Sequence, residues 1–225
     1  AFLPVREFAE GRFVLFATAR GVVKKTGLAE YSRPRPSGII AINLDSEDEL
    51  IAVRVTDGQQ QVALSTRSGM LVRFAESEVR PMGRAAGGVK GVNLDADDRV
   101  VALDVVRPEA MLLTVSANGY GKRSLVDEYR LVHRGAKGVL TMNCTEKTGP
   151  VVGVLQVDEQ VEDVMIVTSG GKLIRIPVAE IRVTGRNAQG VRLVNLAEEG
   201  DTVASVAPVV DAEGGDGEIS VDEAE

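Results

Sequence analysis

The chain has 225 residues, 44% of them hydrophobic, a net charge of −7 and a single cysteine, Cys144. That is enough apolar material for one large domain or two small ones. It excludes an intrachain disulfide, points to a reducing compartment, and contains no apolar run long enough to span a membrane.

The acidity is local. Residues 209–225, VVDAEGGDGEISVDEAE, hold seven acidic residues and no basic one, and the remainder balances 26 basic against 26 acidic. With little to bury, this tail is expected to be disordered, which leaves residues 1–208 as the folded domain. The first residue is Ala1 rather than Met, so the chain is read as part of a longer one.

Residues 3–8, LPVREF, form a short strand-like run, after which one pattern appears in four copies: FVLFATARGVVKKT, QVALSTRSGMLVRF, MLLTVSANGYGKRS and VMIVTSGGKLIRI. Each is an apolar run, a small polar turn ending in glycine, and a second run. The turn glycines are Gly21, Gly69, Gly119 and Gly171, at intervals of 48, 50 and 52 residues. Such runs hinged on glycine predict β-hairpins, because glycine accepts the positive φ that tight turns require. Four positions after each glycine stands a base: Lys25, Arg73, Arg123 and Arg175. These bases, with their neighbours Lys24, Lys122 and Lys172, can either face a polyanion or cap a strand edge.

A second element follows each hairpin: LAEYSRPRPSGIIAINL, ESEVRPMGRAAGGVKGVNL, VDEYRLVHRGAKGVLTMN and VAEIRVTGRNAQGVRLVNL. Its glycines, Gly38, Gly88, Gly138 and Gly190, recur at 50, 50 and 52 residues. Arginines stand eight before the last three of these glycines (Arg80, Arg130, Arg182) and four before them (Arg84, Arg134, Arg186); the first copy has Arg33 and Arg35 instead. After the glycine a strand is predicted to run to Leu44, Leu94 or Leu196. One of these stretches, GRAAGGVKGV from Gly83, nearly matches the phosphate loop G-x-x-x-x-G-K-[ST]. Val89 stands where the lysine belongs, and GRNAQGV from Gly185 repeats the spacing in a later copy. A nucleotide site would be singular, so the glycines are read as a recurrent turn.

The third element is a short strand, LIAVRV, VVALDV, VVGVLQV or VASVAPV, of which LPVREF at the start is a fifth copy. A period near 50 residues with four strands per unit and no helical periodicity predicts an all-β, propeller-like array of four-stranded blades. A single blade cannot bury both faces, so neighbours must stack.

The motifs NGYGKRS, RFAESEVRPMG, KGVLTMN and VTGRNAQGVRLV, together with the period and the acidic tail, resemble the C-terminal domain of the DNA gyrase A subunit over essentially the whole chain. The resemblance implies a β-pinwheel, in which each blade takes its outer strand from a neighbouring unit. It implies a domain that bends and wraps double-stranded DNA by its backbone, presenting it for strand passage so that negative supercoils are introduced. It also implies partnership with the rest of gyrase A and, through it, gyrase B, at the nucleoid in a bacterial cytoplasm. The domain is then not an enzyme by itself and needs no cofactor, its catalytic tyrosine and metal carboxylates lying elsewhere. The family's basic box, similar to Q-R-R-G-G-K-G, does not occur; the nearest string is GRAAGGVKG, and the box is expected upstream of Ala1. The matching domain of topoisomerase IV and a protein-binding propeller scaffold are the alternatives, the acidic tail favouring gyrase.

Phosphates at regular intervals call for cations at regular intervals. A blade array would set Arg33, Arg35, Arg80, Arg84, Arg130, Arg134, Arg182 and Arg186 in an arc, and arginine's planar fork suits phosphate oxygens. Lys90, Lys137 and Arg192 would extend it. Glu78, Glu128 and Glu180, two positions before Arg80, Arg130 and Arg182, would pair with them if the backbone is extended, which leaves Arg84, Arg134 and Arg186 as the better DNA ligands. A single histidine, His133, argues against histidine metal chemistry. Cys144 is read as a small core residue in a strand, and Tyr31, Tyr120 and Tyr129 as packing residues.

Overall fold

Four hairpins form the frame of the computed structural model, which describes residues 3–196 and 200–209. They are β1 (Phe13–Thr18) with β2 (Val22–Gly27), β4 (Gln61–Thr66) with β5 (Met70–Ala75), β8 (Met111–Ser116) with β9 (Tyr120–Leu125), and β12 (Asp163–Thr168) with β13 (Leu173–Pro177). In every turn the glycine has positive φ, 78–86° across the set, and its N–H returns to the last residue of the first strand, as in Gly21 N to Thr18 O at 3.0 Å. This is the three-residue loop in which a left-handed residue follows a type I turn. The predicted copies of the short strand are β3 (Leu50–Thr56), β7 (Val100–Val105), β11 (Val151–Val157) and β15 (Val203–Val209), each pairing antiparallel with the first strand of its hairpin. They are the innermost strands: β3 packs on β7, β7 on β11 and β11 on β15.

The outer edge is where units interlock. Two-residue strands β6 (Val89–Lys90), β10 (Val139–Leu140) and β14 (Val191–Arg192) pair with β2, β5 and β9, the hairpins of the preceding units. Each unit therefore lends its outer strand backwards, and the sheets read β3-β1-β2-β6, β7-β4-β5-β10, β11-β8-β9-β14 and β15-β12-β13. The architecture is an all-β, propeller-like pinwheel. Its fourth blade has three strands among the described residues, and Leu173, at the position of buried Val23 and Leu71, is 68% exposed there. Cores lie between blades. Leu15, Val23, Leu64 and Phe74 join the first two, Leu71, Leu112, Tyr129 and Met142 the second and third, and Leu113, Val115, Val164 and Ile166 the last two. Each fully buried large apolar side chain contributes about 1.5–3 kcal/mol.

Four expectations change. The strands after Gly88, Gly138 and Gly190 span two residues, not the run to Leu94 or Leu196, because beyond them the chain leaves the ladder and its amides bond back to the hairpin glycine, as Gly91 and Val92 do to Gly21 O. Residues 38–44 form no strand, and residues 3–8 form no fifth inner strand; Leu3 and Val5 instead pack on Val14, Phe16 and Leu28. Cys144 lies past β10 rather than in a strand, a half-buried free thiol whose burial raises its pKa. Val209 closes β15, and the remainder of the acidic tail lies outside the described residues.

Between the first two inner strands, Asp104 meets Arg54 at 3.6 Å with its carboxylate only 13% exposed. Burial pushes its pKa up to about 6 against the pull of Arg54. The folded state then binds a proton that the unfolded chain has lost, so stability falls as pH rises from about 4 to 6 and stays lower above. Asp104→Asn should raise the denaturation midpoint at pH 8, by at most about 3 kcal/mol for a gap of roughly two units, and leave it unchanged near pH 4. Equal effects at both pH values would contradict this assignment.

Candidate nucleic-acid interface

Each second element begins with a 3-10 turn: Leu28–Tyr31, Glu76–Glu78, Val126–Glu128 or Val178–Glu180. From the second copy on, the chain then runs beside the preceding hairpin, with parallel bridges Lys25↔Pro81, Arg73↔Leu131 and Arg123↔Val183. It turns back through a rim loop and enters the exchanged strand antiparallel. The reversal is a β-turn closed by Ala86 N to Gly83 O (3.0 Å), Ala136 N to His133 O (3.3 Å) or Ala188 N to Gly185 O (3.0 Å). Arg84, Arg134 and Arg186 occupy the same second position of these three turns.

Their guanidinium groups repeat one contact. Nη1 of Arg84, Arg134 and Arg186 donates to the carbonyl of Ile40 (3.5 Å), Lys90 (3.0 Å) and Leu140 (3.1 Å), each two residues past the glycine of the preceding rim loop. Further bonds tie neighbouring loops, among them Asn43 Nδ2 to Ala85 O (2.7 Å), Asn93 N to Ala136 O (2.9 Å) and Gly135 N to Gly91 O (2.6 Å). The rim loops thus form one continuous band with an arginine at each junction. None of the three guanidinium groups pairs with a carboxylate among the described residues; their partners are carbonyls and the Asn187 amide oxygen, so their charge stays available to an anion.

Arg33 and Arg35 share a groove with Arg84, Ile39, Ile40 and Glu30. Arg80, Arg130 and Arg182 are exposed. The expected pairing with Glu78 and Glu128 does not occur. Those glutamates sit in 3-10 turns, where a two-residue offset does not share a face. They accept instead from the next unit: Arg134 N to Glu78 Oε2 at 3.1 Å, and Arg186 N to Glu128 Oε2 at 2.8 Å. Lys90 is exposed and bonds Asn93 Oδ1. Arg192 donates to Tyr120 Oη (3.0 Å) and lies over its ring, and that bond holds the phenol pKa down. Lys137 pairs with Asp95 at 2.7 Å, both side chains more than half exposed.

The bases four residues past the hairpin glycines take a different role from the rim. Lys25, 3% exposed, donates to Glu76 O (2.9 Å) and lies 3.9 Å from the Glu76 carboxylate. Arg73 reaches the carbonyls of Val126 (3.0 Å) and Tyr129 (3.1 Å), and Arg123 those of Ile181 (2.7 Å) and Ala179 (3.3 Å). All three staple a hairpin to the 3-10 turn of the next unit, as in the strand-edge alternative read from the sequence, and Lys25 alone of them lies beside a carboxylate. Arg175, in the last hairpin, bonds Asp163 in its own blade. Buried Lys24 and Lys122 are the least legible members: both reach across to the rim loops, Lys122 Nζ donating to Gly185 O (2.7 Å) and Arg186 O (2.6 Å).

The model of the DNA gyrase C-terminal domain, a β-propeller family, matches residues 12–57, 60–107, 110–158 and 162–209, one segment per blade. The chain belongs to this family. It is 49% identical over 215 residues to the DNA gyrase A subunit of Klebsiella oxytoca and 58% identical over 209 residues to that of Halalkalibacterium halodurans. It covers 24% and 25% of those proteins, with 95% and 92% of its own length aligned, so it spans about a quarter of these relatives. A solved gyrase A C-terminal domain matches at TM-score 0.81 and 25% identity, over 92% of this chain and 68% of that one. The C-terminal domain of DNA topoisomerase IV matches at TM-score 0.86 and 28% identity, over 92% and 65%. Both solved domains thus share the bladed frame on which the rim arginines of this chain sit.

Proposed function

We propose that this chain is the DNA-bending and DNA-wrapping domain of a gyrase A subunit, acting on double-stranded DNA through its phosphate backbone and without catalysis of its own. Family membership supports the reading, and the observation that carries it is the band of rim loops with Arg84, Arg134 and Arg186 in equivalent turns. A duplex laid along that band meets a cation at every blade junction. Arg33, Arg35, Arg80, Arg130, Arg182, Lys90 and Arg192 lie on the same second elements and supply further contacts. Bending a site of 20–30 base pairs costs on the order of 1–6 kcal/mol, and phosphate contacts spread along the curve offset it. Contacts of this kind position the duplex and do not read its sequence. The rest of gyrase A and gyrase B would then receive the bent segment for strand passage in a bacterial cytoplasm. The topoisomerase IV counterpart is the second reading, favoured by that domain's slightly higher structural overlap. Eight curated relatives, gyrase A subunits at 40–58% identity, favour the first.

The test is binding of a labelled duplex followed by anisotropy over a salt series. If the rim engages about six phosphates, affinity falls about a thousandfold between roughly 50 and 200 mM salt. Absence of binding at low salt would instead support a protein-binding scaffold. Ring closure of nicked DNA on the domain, followed by topology analysis, separates gyrase-like wrapping from simple bending.

A further inference from the structure

Two lysines sit where charge is costly. Lys24 and Lys122 are fully buried, each three residues past a hairpin glycine. Lys122 Nζ donates to the carbonyls of Gly185 and Arg186 and to Ser124 Oγ (3.2 Å). Lys24 Nζ donates to the carbonyl of Arg84 and to Ala41 O (2.8 Å), a carbonyl it shares with Tyr31 Oη. In both cases an ammonium from one hairpin grips the backbone of the rim arginine in the next unit. A buried ammonium persists only where such acceptors surround it.

The intervening blade shows the alternative. Its equivalent position is Val72, which gives no donor, and there the rim arginine secures itself: Arg134 Nε bonds Glu78 O (3.0 Å) while Nη1 bonds Lys90 O. Arg84 and Arg186 make no such Nε bond. Their backbone is fixed from beneath, and their guanidinium bonds run through Nη1, which leaves the Nε edge of each fork to a ligand.

We infer that Lys24 and Lys122 are positioning residues for DNA: buried clamps that hold the turns of Arg84 and Arg186 so that these guanidinium groups face the phosphates. The inference rests on the DNA-binding reading above. The groups facing Lys122 are Glu128, which favours its charge, and Arg186, which opposes it; for Lys24 they are Glu30 and Arg84 in the same senses, with the Phe16 ring 5.5 Å away. Burial brings Lys122 down to about 8 and lowers Lys24 as well. Folding and DNA binding then respond to pH in opposite directions. From about pH 8 to 10.5 the unfolded chain binds more protons than the folded one, so stability rises with pH. Phosphate beside the clamp favours the ammonium, so DNA affinity falls over the same range.

The experiment compares the natural chain with Lys24→Val/Lys122→Val, a substitution the fold already accommodates at the equivalent position of the second blade, where Val72 stands. Duplex affinity is measured from pH 7 to 9.5 at one low salt concentration, with denaturation midpoints alongside. The natural chain should lose about fivefold in affinity across that range, and the variant should bind about tenfold more weakly at pH 7, corresponding to about 1.4 kcal/mol, with a flat profile. A folded variant with unchanged affinity, or one that keeps the natural pH profile, overturns the clamp. Arg84→Gln/Arg186→Gln keeps the two failures apart. If it weakens binding while the lysine variant does not, the interface stands and the clamp falls; if the natural chain does not bind DNA, the underlying reading fails.

Discussion

Gly138→Ala should be among the most destabilising single substitutions in the chain, lowering stability by about 3 kcal/mol or more. Gly138 stands where the third unit enters its exchanged strand, at φ +86°, and a Cβ there would sit 2.2 Å from the carbonyl oxygen of Leu71 and 2.7 Å from its carbon. Neither atom can yield, because Leu71 is paired with Val139 in the same ladder and is 1% exposed. The strand must therefore lift from β5, uncovering the core that joins the second and third blades. Gly38 is the internal control: it has nearly the same φ, +80°, yet nothing lies within 4 Å of its Cβ position, since residues 38–44 lend no strand to a described blade. Gly38→Ala should cost only the left-handed backbone term, about 1–2 kcal/mol. Chemical denaturation of the two variants measures the difference. Equal losses would mean that strand exchange contributes nothing beyond the turn itself.

The contrast between these glycines also marks where sequence reading stops. The period, the hairpins and the inner strands are legible because Gly21, Gly69, Gly119 and Gly171 announce themselves locally: each glycine closes a turn between residues a few positions apart. Strand exchange is not local. It joins Val191 to Gly121 across a long stretch of chain through a two-residue ladder, too short to leave an alternation in the sequence. That each unit lends its strand backwards is visible only in the fold. The same distinction separates the bases. Arg84, Arg134 and Arg186 are legible as a set from their fixed offset to a glycine, and their turns do repeat in space. Lys25, Arg73 and Arg123 share an offset equally strict, yet they point at the carbonyls of the next unit's 3-10 turn. An offset shows that residues are equivalent; what covers them is decided by the neighbouring blade. Strand geometry would pair Glu78 with Arg80, and the 3-10 turn carries it to the Arg134 amide instead.

Charge removal at the rim should give the largest functional effect. Arg84→Gln/Arg134→Gln/Arg186→Gln should weaken duplex binding by about a thousandfold at low salt, taking each arginine–phosphate contact as roughly tenfold. It should also flatten the slope of log affinity against log salt by about 2.7, or roughly 0.9 per lost contact. Glutamine keeps an amide donor for the carbonyls of Ile40, Lys90 and Leu140, so the band of loops stays closed and the denaturation midpoint should move little. Arg107 supplies the control: it follows inner strand β7, outside the second elements, paired with Asp158 at 2.8 Å, and Arg107→Gln should leave both affinity and slope unchanged. The two observables answer different questions. A fall in affinity with an unchanged slope would mean that these arginines shape the rim without touching phosphate, and the contacts would then belong to Arg80, Arg130 and Arg182. A fall in both, with the fold intact, assigns the phosphates to the three loops. If neither changes, the duplex follows another face of the pinwheel.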